Sequence, residues 1–110
     1  MEIQTHVEGG LFTITIMGDL DANGSIILDR VVEQAVAQNH YKIMVNCIQL
    51  DYISSAGLGV FISYLKDLTA NRGGFVFYGL QDNVRTAFNL LGLEKVMSIV
   101  TTEDEAIGVI

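Results

Sequence analysis

Two adjacent serines, Ser54 and Ser55, stand between a strand-like run and the glycine-laced segment "AGLGVF". Hydroxyls in that position could serve nucleophilic catalysis, phosphate binding, helix capping or covalent modification, and spacing separates these chemistries. A nucleophile elbow needs glycines two residues before and two after the serine, with a histidine later in the chain. Gly57 follows Ser55 correctly, but Ile53 fills the first glycine position, and both histidines, His6 and His40, lie upstream and read as solvated surface residues. A phosphate loop needs G-x-x-x-x-G-K-[ST], and here no lysine meets the helix start. Gly57 and Gly59 read more simply as permitting close helix packing. Asp19, Asp21 and Asp51 loosely imitate the acids of a phosphoaspartate receiver, yet Lys95 precedes the last strand instead of ending it. Two roles remain. A serine oxygen can cap a helix by accepting a hydrogen bond from a free first-turn amide. A helix N-terminus also tolerates a phosphate, because its free amides and partial positive charge favour an anion.

The elements that position these hydroxyls follow from periodicity. "EIQTHVE", the turn "GG" and "LFTITIMG" predict an opening β-hairpin. Leu28, Val31, Val32 and Ala35 recur at i, i+3, i+4 and i+7, which predicts a helix over about 24–38, with Asp21, Asn23 or Ser25 near its start. "KIMVNCIQL" predicts a strand covered on both faces. After the serines, Leu58, Phe61, Ile62 and Leu65 repeat the helical spacing, and "NRGG" ends that helix near residue 72. "FVFYGL", "NVRTAFNLLG", "VMSIV" and "TTEDEAIGVI" then read as strand, helix, strand and helix. A hairpin followed by alternating helix and strand predicts one α/β domain over 1–110, with a mixed, mostly parallel sheet and about four helices. The serines then lie at the carboxyl end of a central strand, where sites in open α/β sheets are found.

Composition narrows the partners. Hydrophobic residues make up 50% and charged residues 17%, which fits a globular chain. Six Lys+Arg against 13 Asp+Glu give a net charge of −7 without any basic cluster, which argues against nucleic acid and an anionic membrane surface as partners. The longest apolar run, "AGLGVFI", is far short of the ~20 residues that span a bilayer. The N-terminal stretch lacks the basic and apolar regions of a signal peptide, so a cytoplasmic protein is expected. Cys47 is the only cysteine; it excludes an internal disulfide and reads as a buried, inert thiol.

"LDYISSAGLGVFISYLKDL" resembles the signature of STAS-domain anti-sigma factor antagonists, the bacterial anti-anti-sigma proteins, whose pattern is strand, [D/S]-S-[S/T/A]-G-L-x-x-L, helix. The similarity covers almost the whole chain: "GDLDANGS" resembles the family's G-E-L-D loop, "NRGGFVFYG" its turn into the following strand, and "AFNLLGLEKVMSIV" its close. The resemblance implies a STAS-type domain that binds an anti-sigma factor, itself an ATP-dependent serine kinase, and so releases a sigma factor. It implies that phosphorylation of the serine two before the glycine abolishes that binding and that a serine phosphatase restores it. On this chain that serine is Ser55, with Ser54 as second choice. Many members carry aspartate where Ser54 stands, which leaves Ser54 a bystander, a cap or a second acceptor. Asp21 matches the loop aspartate beside the switch, and Asp21, Asn23, Ser54, Ser55, Ala56, Gly57 and Leu58 form the implied partner surface. No enzymatic activity, cofactor or metal is expected of the chain. The alternative is a stand-alone STAS scaffold or nucleotide-sensing module without phosphorylation.

Overall fold

The computed structural model describes all residues 1–110. Gly9 and Gly10, with φ of +59° and +79°, turn β1 (Glu2–Glu8) back into β2 (Leu11–Leu20), so that Glu8 pairs antiparallel with Leu11. A two-residue turn with positive φ at both positions matches the right-handed twist of its strands. The chain continues through α1 (Ala22–Ala37), β3 (Lys42–Asn46), β4 (Leu50–Ile53), α2 (Ser55–Ala70), β5 (Gly74–Tyr78), α3 (Asp82–Leu90), β6 (Ser98–Val100) and α4 (Glu103–Val109). The sheet order is β1-β2-β3-β5-β6, and β4 pairs with β2. Only the hairpin is antiparallel; the pairs β2–β3, β2–β4, β3–β5 and β5–β6 are parallel. This is the α/β architecture that the alternating pattern predicts.

The run "KIMVNCIQL" does not form one strand. It breaks after Asn46 and resumes as β4, because β2 serves two partners in turn. Phe12–Thr15 pair with β3, whereas Gly18–Leu20 pair with β4, and the register shifts between Gly18 and Asp19. Gly18 supplies a φ of +91° at this fork, a conformation open to glycine at no steric cost. The turn between β3 and β4 is satisfied at long range: Cys47 N donates to the Tyr78 carbonyl at 2.9 Å, and Gly18 N donates to the Gln49 carbonyl at 2.8 Å. The serines therefore follow a four-residue branch beside β2 and not a central strand.

Alternate residues of the strands, among them Ile14, Ile16, Ile43, Val45, Phe75 and Phe77, pack with α1, α2 and α3 into a core of 22 buried residues. Met44, Val76 and Tyr78 face the other way, against Ala106 of α4. Phe61 anchors α2 edge-to-face on Phe75 and Phe77, with centroids 5.2 and 4.9 Å apart. Such pairs add about 0.5–1.5 kcal/mol to the burial itself. The predicted stripe of α1 is observed, but the helix begins at Ala22, two residues earlier than expected, because Asp21 supplies the cap. In α2 the buried stripe is Leu58, Phe61 and Leu68 with Leu65 partly covered, whereas Ile62 is 42% exposed. Ile62 lies 100° around the helix from Phe61, which turns it off the sheet. Gly59 is also exposed, with open space where a side chain would be, so it permits no close packing. At the C-terminus of α2 it is Arg72, not a glycine, that takes the positive φ, +62°. Gly73 is needed for another reason: a Cβ there would collide with the Tyr41 backbone carbonyl.

His6 is exposed, with Nε2 3.1 Å from a Glu8 carboxylate oxygen, but His40 is half-buried, its ring 5.3 Å from that of Phe12. Packing against the edge of the core overrides the solvated position expected for it. Cys47 is 1% exposed, and burial pushes its thiol up to about 12. Only the thiolate is an effective nucleophile, so native protein at pH 8 should resist iodoacetamide and label fully in denaturant, as read by intact mass. Because the folded value lies above the ordinary one near 9, the thiol's contribution to stability is complete below pH 9. It is lost as pH rises toward 12.

Candidate functional site

At the carboxyl end of β2 and β4 two helices start side by side. Leu20 and Ile53 are register partners, and Ser54 N donates to the Leu20 carbonyl at 2.8 Å, tying one strand-to-helix loop to the other. Each start is capped by the residue just past its strand. Asp21 Oδ1 accepts from Gly24 N at 2.7 Å, and Ser54 Oγ accepts from Gly57 N at 3.1 Å. The two helices are joined further along: the Tyr64 hydroxyl donates to Asp29 Oδ1 at 3.0 Å, and burial together with that carboxylate pushes the phenol up to about 12.

The paired serines thus divide their roles. Ser54 is half-buried and is the N-cap of α2; Ser55 is the first helical residue, exposed, and its hydroxyl takes no part in the cap. Of the alternatives open for Ser54, the geometry gives it the cap. Ser54→Ala should then cost about 1 kcal/mol of stability, whereas Ser55→Ala should stay within about 0.5 kcal/mol of wild type. Urea unfolding of both variants checks this; a larger loss for Ser55→Ala would reverse the assignment.

Gly57 makes the close approach possible. A Cβ there would lie 2.9 Å from Leu20 Cδ2 and 3.1 Å from Ile53 Cγ1, so α2 can start against both strand ends only without a side chain at this position. Leu58 is buried behind it, while Asp21, Asn23 and Ala56 are exposed at the helix starts. All seven residues expected at the partner surface therefore lie at the two adjoining helix starts, but Gly57 and Leu58 are buried there and support that surface from within instead of forming it.

The far side of β4 is held by residues that sequence reasoning did not single out for this site. Gln81 Nε2 donates to Asp51 Oδ1 at 3.0 Å and to the Ile48 carbonyl at 3.3 Å, and Asn83 Nδ2 donates to the Asp51 carbonyl at 2.7 Å. These contacts bridge some thirty positions of chain, and no local pattern announces them. The three loops here, 18–25, 48–57 and 79–83, contain Asp19, Asp21, Asp51 and Asp82 and no Lys, Arg or His. The rim around Ser55 is thus uniformly acidic.

The arrangement lacks the partners of nucleophilic catalysis. His40 precedes β3, at the opposite end of the sheet, and His6 is hydrogen-bonded to Glu8 on β1. No three His, Cys, Asp or Glu side chains converge to hold a metal ion. No helix is long and apolar enough to cross a membrane. What the site offers is a free hydroxyl on an exposed helix start.

The chain resembles known proteins in sequence and in fold. The anti-sigma-B factor antagonist of Listeria monocytogenes is 26% identical over 95 residues, covering 86% of this chain and 83% of that protein. The structure of the anti-sigma factor antagonist SpoIIAA in its unphosphorylated form superposes with a TM-score of 0.84 at 25% identity, over 96% of this chain and 93% of that one. The Bacillus cell fate determinant SpoIIAA in the phosphorylated form superposes with a TM-score of 0.76 at 25% identity, over 97% of each chain. The family model of the STAS domain matches residues 2–106. With that match spanning nearly the whole of the fold described above, the chain belongs to the STAS domain family.

Proposed function

We propose that this domain is an anti-sigma factor antagonist switched by phosphorylation of Ser55. Unphosphorylated, it binds an anti-sigma factor that is also a serine kinase, and the sigma factor is released. The kinase transfers a phosphoryl group from ATP to Ser55, which ends the complex, and a serine phosphatase restores it. The chain itself is the substrate and not an enzyme, and a cytoplasmic setting with ATP follows from the reading.

The observation that carries the proposal is the division of labour between the serines. A kinase needs a hydroxyl that can leave its surroundings and enter an active site. Ser54 Oγ holds the cap through Gly57 N, whereas Ser55 is exposed and uncommitted. A phosphate on Ser55 meets the free amides and dipole of a 16-residue helix, which tolerate an anion locally. To an approaching protein the same phosphate adds about −1.5 to −2 charges to a rim that already holds four aspartates. The relatives support the reading: the Listeria monocytogenes protein is an anti-sigma-B factor antagonist, and SpoIIAA occurs in both phosphorylated and unphosphorylated forms.

The test is incubation with a purified anti-sigma factor serine kinase of the same organism and ATP. One phosphate should be added and mapped to Ser55 by tandem mass spectrometry. Labelling confined to Ser54, with Ser55→Ala modified as fully as wild type, would move the switch to the other serine.

A further inference from the structure

Exposed residues of α2 follow Ser55 at helical spacing: Gly59, Ile62 and Lys66 lie four, seven and eleven positions on, along one face. Ile62 is 42% exposed. Lys66 then forms one wall of a groove of about 470 Å³ whose other lining residues are Leu65, Thr69, Ala70 and Val96. Val96 is 62% exposed, although it lies between the core residues Leu93 and Met97. The face that begins at the phosphoacceptor thus ends in an apolar groove with a cation on its rim.

We infer that the anti-sigma partner docks along this whole face, its contact running from Ser55 over Ile62 to an aliphatic side chain seated in the groove against Val96. The inference rests on the switch reading above and gives the extent of its interface. Two arguments support it. A stable protein interface covers ~800 Å² on each partner and takes most of its energy from a few desolvated anchors. Beside Ser55 the exposed apolar side chains are Ile48 and Tyr52 before it and Ile26 and Ile27 on α1, and on the helical face of Ser55 itself they are Ile62 and the groove, so an interface of that area extends down α2 to reach them. Charge separates the two ends of the face as well. The acidic rim at Ser55 suits basic partner residues, while Lys66 at the groove suits a carboxylate. A second copy of this chain is a poorer occupant, because it has few basic residues to meet the acidic rim, 6 against 13 acids.

Calorimetric titration of a purified anti-sigma factor serine kinase against the unphosphorylated domain tests the inference. Ile62→Gln and Val96→Glu should each lower affinity tenfold or more while leaving the thermal melt unchanged. Ile107→Gln, at a half-exposed position of α4 on the opposite side of the sheet, should bind as wild type. If both α2-face variants bind as wild type while phosphorylation of Ser55 still abolishes binding, the contact is confined to the switch; the inference is then wrong and the switch stands. If the wild-type domain proves to be a dimer by sedimentation and Val96→Glu makes it monomeric, the groove belongs to a second copy, which also overturns the inference. Absence of any binding by the unphosphorylated domain would remove the switch reading and this inference together.

Discussion

Phosphorylation of Ser55 should lower the domain's affinity for its anti-sigma partner by a hundredfold or more while leaving its melting temperature unchanged or slightly raised. The two effects have separate causes. Within the free domain, the phosphate sits at the first residue of α2, where the helix dipole favours an anion by roughly 0.3–1 kcal/mol. The cap is untouched, since it is Ser54 that accepts from Gly57 N. In the complex, the phosphate must be buried against a surface shaped for a neutral hydroxyl. One like-charge contact at ~5 Å and an effective dielectric of ~20 costs about 3 kcal/mol, and desolvating the phosphate adds to this. Each 1.4 kcal/mol is about tenfold in affinity, so two decades or more are expected. Ser55→Asp should fall short, with about half the charge and fewer oxygens. Ser55→Ala should bind and melt as wild type, since no capping bond is lost. A thermal melt beside a titration against the anti-sigma factor, for both phosphorylation states, makes the comparison. Loss of the cooperative melt on phosphorylation would mean that the modification acts on folding, and the binding-switch account would be wrong.

Replacing Gly73 by alanine should cost about 3 kcal/mol or more of stability. The new Cβ would fall on the Tyr41 carbonyl, and neither side has room to retreat. The Tyr41 carbonyl accepts from Gly74 N at 2.9 Å, Gly73 N donates to the Leu68 carbonyl at 2.7 Å, and Gly74 is the register partner of Lys42 at the start of β3. Relief of the clash must therefore open either the end of α2 or the β3–β5 ladder. Overpacking of this kind costs about 1–3 kcal/mol where side chains can yield, and more where backbone must move. For a domain of this size that corresponds to a fall in Tm of roughly 10 °C or more. Gly59→Ala is the matched control: nothing stands within 4 Å of its Cβ and its φ is helical. It should gain about 0.5–1 kcal/mol from reduced backbone freedom. A Gly73→Ala variant melting within 2 °C of wild type would show that the turn is softer than its hydrogen bonds indicate.

The contrast between those two glycines illustrates what the sequence makes legible. Both were candidates for structural roles from their surroundings, but only a neighbour distant in the chain, Tyr41 for Gly73 and Leu20 for Gly57, separates a required glycine from a tolerated one. Local signals worked where the physics is local. The diglycine gives the hairpin, the i, i+3, i+4, i+7 spacing gives the stripe of α1, and Asp21 caps the helix it was proposed to start. The β3–β4 break escaped because "LDYI" is only four residues long and its turn is stabilised by Tyr78 and Gly18, far away in sequence. Type and spacing put Ile62 in the core, and only the orientation of α2 on Phe75 and Phe77 shows that it faces out. At the site, the serine loop was visible from its own residues. Which serine caps and which is free depended on where the helix starts, and the clasp of Gln81 and Asn83 on β4 had no sequence signal.

The fork in β2 bears on where the chain can change length. Because Gly18–Leu20 are held in register by β4 and the Leu20 carbonyl is taken by Ser54 N, an extra residue between 18 and 21 would turn the strand residues that follow it, the buried Leu20 among them, to the other face of the ribbon. It would also part the two helix starts. The hairpin tip has no such constraint: Gly9 and Gly10 are exposed, with nothing packed against them. Tags, fluorophores or inserted epitopes therefore belong at the tip. Deletions and insertions, whether made by engineers or by drift among relatives, should gather there and leave the stretch from Gly18 to Asp21 at constant length.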